Sequence, residues 1–197
     1  MHFTTALGLA AAFSGVTSAL PATQRRDGGS DNNPSGSNST SNSNSTSNSN
    51  GGIDITNNMG HTIYLWSVGN SANNSMVTLD PGDRYSESWQ VNTAGGGISV
   101  KMATQPNQSD VLQYEYTLEG DTIYWDLSCI NMSDNSTFTT AGFDVSSNNT
   151  DCPSANCAPG DSSCAAAYLY PTDDQATHGC HASTQMALNL GSSAPSS

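Results

Sequence analysis

Basic residues are almost missing from this chain. Lysine and arginine together number 4 against 17 aspartates and glutamates, for a formal net charge of −13. A nucleic-acid partner needs a basic face to displace counterions from phosphate, so that class is excluded. An anionic membrane surface is excluded for the same reason. Long apolar runs are missing too. The longest, Ala6 to Val16, is too short to span a bilayer. No apolar pattern of helical period is long enough to define a helical body. The best candidate is the short segment Cys164–Leu169. The sequence also carries no Gly-x-Ser-x-Gly elbow, no phosphate-cradling glycine loop before a helix and no zinc-protease helix. No cofactor is expected.

What remains is export, sugar and strands. Residues 1–19 read as a signal peptide, an apolar stretch ending in Thr17, Ser18 and Ala19. Residues 20–26 read as a short propeptide closed by the dibasic pair Arg25-Arg26. Cleavage there leaves Arg84 and Lys101 against all 17 acidic residues, a net of −15. Residues 27–52 are almost entirely Ser, Asn, Gly, Thr and Asp, with no large apolar side chain to bury, so a disordered linker is expected. The folded domain is expected over 53–190 and a disordered polar tail over 191–197. Asn-x-Ser/Thr acceptors occur at Asn38, Asn44, Asn73, Asn107, Asn131, Asn135 and Asn148, which predicts a secreted glycoprotein, extracellular or retained on the cell wall. The tail lacks the apolar segment of a lipid-anchor signal.

Within the domain, short alternating runs are separated by turn residues. They are Ile53–Ile55, Ile63–Trp66, Met76–Leu79, Tyr85–Val91, Ile98–Met102, Val111–Leu118 and Thr122–Leu127. This spacing predicts an all-β antiparallel sandwich. The stretch 132–190 reads as disulfide-rich and loop-rich. Of five cysteines, Cys152, Cys157, Cys164 and Cys180 are expected to pair, in one of three ways that the sequence does not choose between. Cys129 is left over. His178 and His181 flank Cys180 near Asp173 and Asp174, but their spacing matches no dedicated metal site, so no metal is assigned.

The order of these motifs resembles the thaumatin-like proteins. The run Ile53-Asp54-Ile55-Thr56-Asn57-Asn58-Met59-Gly60-His61-Thr62-Ile63-Tyr64 is similar to their opening strands, and Leu79 to Met102 to the next ones. Tyr114–Leu118 with Tyr124–Ser128 resembles the segment lining their cleft. Tyr64–Gly69 and the stretch Tyr168 to Cys180 narrow the likeness to the small fungal secreted members, the antigenic or yeast-phase-specific thaumatin-like proteins. The resemblance implies a cleft whose Arg-Glu-Asp-Asp set is associated with β-glucan binding and, in some members, weak glucanase activity. Its positions here are Lys101, Glu115, Asp126 and Asn131. Two departures matter. Met59 stands where a cysteine is usual, consistent with an odd cysteine elsewhere. The cleft has a lysine without arginine's bidentate fork and an amide in place of a carboxylate.

Glu115 and Asp126 are therefore the catalytic candidates and also the ligand candidates. Glu115 lies between Tyr114 and Tyr116 and faces opposite to both. Tyr85, Trp89, Tyr124 and Trp125 are candidates to stack on sugar, although alternating aromatics in a sandwich are mostly core, and Trp66 and Trp89 are expected there. Three functions follow: a wall-associated binder of β-glucan-type polysaccharide acting in germination or wall remodelling, an adhesin or antigen recognised by host matrix or receptors, and a weak β-glucanase.

Overall fold

The computed structural model describes residues 51–69 and 75–191. Among the described residues eleven strands form two facing sheets, with one short α-helix and one 3-10 turn at Asp174–Ala176 between them in the chain. The strands are β1 Gly52–Asn57, β2 Ile63–Val68, β3 Val77–Leu79, β4 Arg84–Ser88, β5 Ile98–Ala103, β6 Val111–Glu119, β7 Thr122–Asn131, β8 Phe143–Ser147, β9 Ala155–Cys157, β10 His178–His181 and β11 Gln185–Leu190, with α1 at Thr137–Ala141. One sheet has the order β4-β1-β11-β8-β9 and the other β10-β7-β6-β5-β2-β3.

Alternation explains the core. Ile53 and Ile55 of β1 and Met186, Leu188 and Leu190 of β11 point inward from the five-stranded sheet. Ile63, Leu65, Val100, Met102, Leu112, Tyr114, Tyr116, Ile123, Trp125 and Leu127 meet them from the six-stranded one. Met59 is buried in the same core. Burial on this scale, at about 25 cal/mol per Å² of apolar surface, is the main stabilising term.

The expected strands form, but β1 and β2 are not a hairpin. Asn57 is fully buried, and its side chain holds the crossover between sheets. Its Nδ2 donates to His61 O at 3.0 Å and to Leu79 O at 2.9 Å, while Oδ1 accepts from Met59 N at 3.0 Å. Strands outside the expected set also appear. β8 to β11 lie in the stretch read as loops, and β11 is central to its sheet. It pairs with β1 in parallel, the one parallel pairing among these strands, so the sandwich is not wholly antiparallel. The pattern Met186, Leu188, Leu190 was alternating all along. What hides it is its distance from β1 in sequence.

The segment Cys164–Leu169 is not helical. Tyr168 donates its N–H to Leu127 O and accepts from Cys129 N, both at 2.8 Å, and so caps the edge of β7. The helix forms instead at Thr137–Ala141, where Ser136 caps Phe138 N at 3.2 Å and Phe138 is fully buried. Gly51 and Gly52, which the sequence alone places in the linker, belong to the packed body. Gly51 and Gly52 are buried against Thr184 and Glu87, and a Cβ on Gly51 would lie 2.1 Å from Thr184 O. At the other end Gly191 is buried as well and donates to Gly142 O at 2.9 Å. Cys152 is bonded to Cys180 and Cys157 to Cys164, leaving Cys129 free and half-buried.

Candidate functional site: the outer face of the six-stranded sheet

The face of β5, β6 and β7 that turns away from the core carries a row of polar side chains. Register sets their neighbours. Glu115 lies directly opposite Asp126, Ser99 opposite Glu115, and Lys101 opposite Gln113. Asn131 joins them through a β-bulge. Val111 pairs with Asn131 but Gln113 pairs with Ser128, so β7 has one extra residue. Without it Asn131 would have the wrong parity for this face. The extra residue restores it.

Hydrogen bonds tie the row together. Ser99 Oγ donates to Gln113 Oε1 at 3.1 Å, and Gln113 Nε2 donates to Asn131 Oδ1 at 3.2 Å. Gln113 is buried, and it organises the row although only its alternation with Leu112 and Tyr114 signalled its direction. Burial raises the Glu115 carboxyl, while the Ser99 hydroxyl and the Lys101 ammonium lower it. Asp126 has no such relief. Burial first and the Glu115 charge second push it up to about 7. Asp126 therefore still holds its proton over a pH range in which an ordinary aspartate is fully ionised.

Glu115 and Asp126 open into a cleft of about 350 Å³ that Ser99, Tyr124 and Thr177 also line. Lys101 and Asn131 stand on the same sheet face beside it, not among its lining residues. Of the aromatic candidates, Tyr124 alone reaches the cleft as an exposed ring, at 43% exposure. Trp89 and Trp125 are buried in the core, the first 4.9 Å from Tyr116 and the second 5.9 Å from Tyr114, centroid to centroid. Tyr85 donates to Glu87 Oε2 at 2.6 Å. Trp66 is buried, but not in the main core. It forms a small cluster with Ala103 and Val111 on the cleft face of the sheet.

The remaining candidates separate. His178 packs on Trp125 at 4.6 Å with its pKa lowered by burial, whereas His181 Nδ1 is 2.8 Å from Ser183 Oγ. Cys180 is in a disulfide, and among the described residues no set of three His, Cys, Asp or Glu converges on a metal position. Cys129 lines a separate groove with Ile130, Asp134, Asp161 and Tyr170, and burial pushes its thiol up to about 11. Asn107, Asn131, Asn135 and Asn148 are exposed, while Asn38, Asn44 and Asn73 lie outside the described residues. No described helix is long and apolar enough to cross a membrane.

A two-sheet β body with almost no helix, stapled by disulfides beside an acidic cleft, defines a small secreted thaumatin-like protein. Comparison with known proteins agrees. The chain belongs to the family described as Blastomyces yeast-phase-specific protein, whose model matches residues 40–192. It is 48% identical over 141 residues to the secreted thaumatin-like protein calA of Emericella nidulans, covering 72% of this chain and 81% of that one. It is 39% identical over 140 residues to an antigenic thaumatin-like protein of Arthroderma benhamiae, covering 71% and 70%. The fold is also that of the protein elicitor MoHrip2 from Magnaporthe oryzae, at a TM-score of 0.58 and 23% identity, over 72% of this chain and 99% of the other.

Proposed function

We propose that the protein is a wall-associated glycoprotein that grips β-glucan-type polysaccharide through this cleft, in germination or wall remodelling. The carrying observation is the carboxylate pair Glu115–Asp126, set side by side on one sheet face beside an exposed tyrosine ring. The carboxyl oxygens of the pair accept from sugar hydroxyls, and Asp126 in its protonated form also donates to them. The Tyr124 ring covers the apolar face of a pyranose. Lys101 beside the pair limits its net charge, which suits a neutral ligand.

Gripping fits the geometry better than cutting. A glycosidase sets its two carboxyl groups on either side of the scissile bond. Direct cross-strand neighbours on one sheet approach a ligand from the same side. The one feature favouring a weak β-glucanase is Asp126, whose proton is held to about 7 as a general acid requires. Reducing ends released by the wild type and lost in Glu115→Gln and in Asp126→Asn would establish that reading.

A pull-down of the secreted chain on insoluble β-glucan tests the proposal. Wild type is retained, and Glu115→Ala or Asp126→Ala weakens retention about tenfold, roughly 1.4 kcal/mol. No retention of the wild type, with saturable binding to host matrix protein, would replace it with the adhesin or antigen reading, which the name of the Arthroderma relative favours. The wall-glycoprotein part is read by peptide mass spectrometry at the exposed Asn107, Asn131, Asn135 and Asn148.

A further inference from the structure

A groove of about 500 Å³ lies apart from the cleft and shares no lining residue with it. It forms where the end of β7, α1, the start of β8 and the loops at 161–164 and 169–170 come together. Two observations mark it as a surface for a partner. The first is apolar. Among the described residues five large apolar side chains are exposed, and two of them, Ile130 at 40% and Tyr170 at 67%, line this one groove. Phe143 and Cys164, already buried, line it more deeply. Exposed apolar groups gathered in one hollow are what the anchor residues of a partner fill.

The second observation is charge. Asp134 and Asp161 line the same groove and are exposed, whereas no lysine, arginine or histidine lines it. Asp161 Oδ1 accepts from Ser163 N at 2.9 Å, and its other oxygen is open to a partner. The walls are fixed before any partner arrives. Leu169 N and Tyr170 N both donate to Asp173 Oδ2 at 2.9 Å, and Tyr168 is bonded to β7 through its N–H and its carbonyl. On the other loop, Gly160 N donates to Thr139 O at 2.7 Å, and the Cys157–Cys164 disulfide closes the segment. The Tyr170 ring is thus held out in water by backbone that need not reorder, which keeps the ordering cost of binding small.

We infer that this groove docks a basic segment of another protein, with an arginine laid on the Tyr170 ring, its guanidinium toward Asp134 and Asp161, and a neighbouring aliphatic side chain against Ile130. Arginine answers both observations at once, because its planar head stacks on an aromatic face and also pairs with carboxylates. A second copy of this chain is a poor occupant, since it brings the same acidic excess. An anionic polymer meets two carboxylates and no counter-charge. Asn131 turns to the polar row on the other side of β7, where its Oδ1 accepts from Gln113, so a glycan there leaves the groove open. Groove and cleft are separate, and neither reading rests on the other.

The test is amide NMR of the isotope-labelled full secreted chain, titrated at physiological salt with two peptides of equal charge, acetyl-leucyl-arginine amide and acetyl-leucyl-lysine amide. The arginine peptide should shift the amides of Ile130, Asp134, Ser163 and Tyr170 and bind about threefold more tightly than the lysine peptide. Tyr170→Ser should erase that preference. Asp134→Asn combined with Asp161→Asn should weaken the arginine peptide about fivefold. All three side chains are exposed, so an unchanged melting temperature is expected and checks the fold. Because Asn135 adjoins the rim, Asn135→Gln is titrated alongside, and shifts at the groove in either chain support the proposal. Shifts of equal size for both peptides, spread over the acidic surface, would overturn it in favour of field attraction alone. Shifts gathered at Glu115 and Asp126 would overturn it by seating the cation in the cleft. A Tyr170→Ser chain that keeps the preference, or no shift in either chain, would overturn it as well.

Discussion

Asp126 carries a destabilising contribution that its neighbours do not offset. Its folded pKa of about 7 lies well above the ordinary aspartate value of 3.8. Between those two values the folded state holds more protons than the unfolded one, so stability falls as pH rises from about 4 through 7. Asp126→Asn removes the penalty. The variant should melt near the wild type at pH 4 and above it at pH 8. After discounting for partial solvent screening the gap should be about 1–2 kcal/mol. Equal melting curves at pH 8 would show that the pair is not coupled in this way. A second buried carboxylate has the opposite role. Glu87 accepts from Tyr85 through Oε2 and from Tyr116 through Oε1, inside the core beside Trp89. Burial and the Glu87 charge raise both tyrosines, which keeps their hydroxyls as donors. Tyr116→Phe deletes one donor to a buried carboxylate and should lower stability by about 1–3 kcal/mol, read from the denaturant midpoint at constant slope.

Among the elements, those with local alternation were legible and those made by long-range pairing were not. β5, β6 and β7 could be read directly, because Ile98, Val100 and Met102, then Tyr114 and Tyr116, then Ile123, Trp125 and Leu127 alternate with polar residues. The same alternation set Glu115 and Asp126 on the outward face. Their opposition across strands follows from the register of the β6–β7 hairpin, whose turn Glu119-Gly120-Asp121 was also legible. The bulge that re-aims Asn131 was not, because beside it Cys129 N donates to the carbonyl of Tyr168, far along the chain. Nor was β11, whose partner β1 lies more than a hundred residues away in the chain. The disulfides could be counted but not paired. Their loops predict unequal effects. Cys152–Cys180 closes a separation of 28 residues and Cys157–Cys164 only 7. The longer loop restricts the unfolded chain more, by about 1 kcal/mol on the chain-entropy model. Serine replacement of the first pair should therefore lower the denaturation midpoint more than replacement of the second. The reverse order would mean that the short bridge has a local role, holding the wall of the groove that Cys164 lines with Cys129.

At the scale of the molecule, charge and cleft act on different ligands. The described body carries its two cations apart, Arg84 on the edge strand β4 and Lys101 beside the cleft, so neither offsets the acidic surface as a whole. A chain with such an excess of aspartate and glutamate repels anionic polymers and attracts cationic ones through its summed field. Deacetylated chitin is a wall polymer of that kind, and its binding should need no particular pocket. The field is screened beyond about 8 Å at physiological salt, so this attraction should weaken steeply between 20 mM and 500 mM salt. Binding in the cleft draws on ring contacts and short hydrogen bonds to a neutral sugar, which salt barely changes. The two modes are separable on one column pair. Retention on chitosan should collapse with salt and survive Tyr124→Ala, whereas retention on β-glucan should survive salt and weaken with Tyr124→Ala. Chitosan binding indifferent to salt would show that the cationic polymer uses a shaped site rather than the field. Glucan binding that collapses with salt would show that the cleft carboxylates meet a charged ligand, contrary to the neutral one proposed.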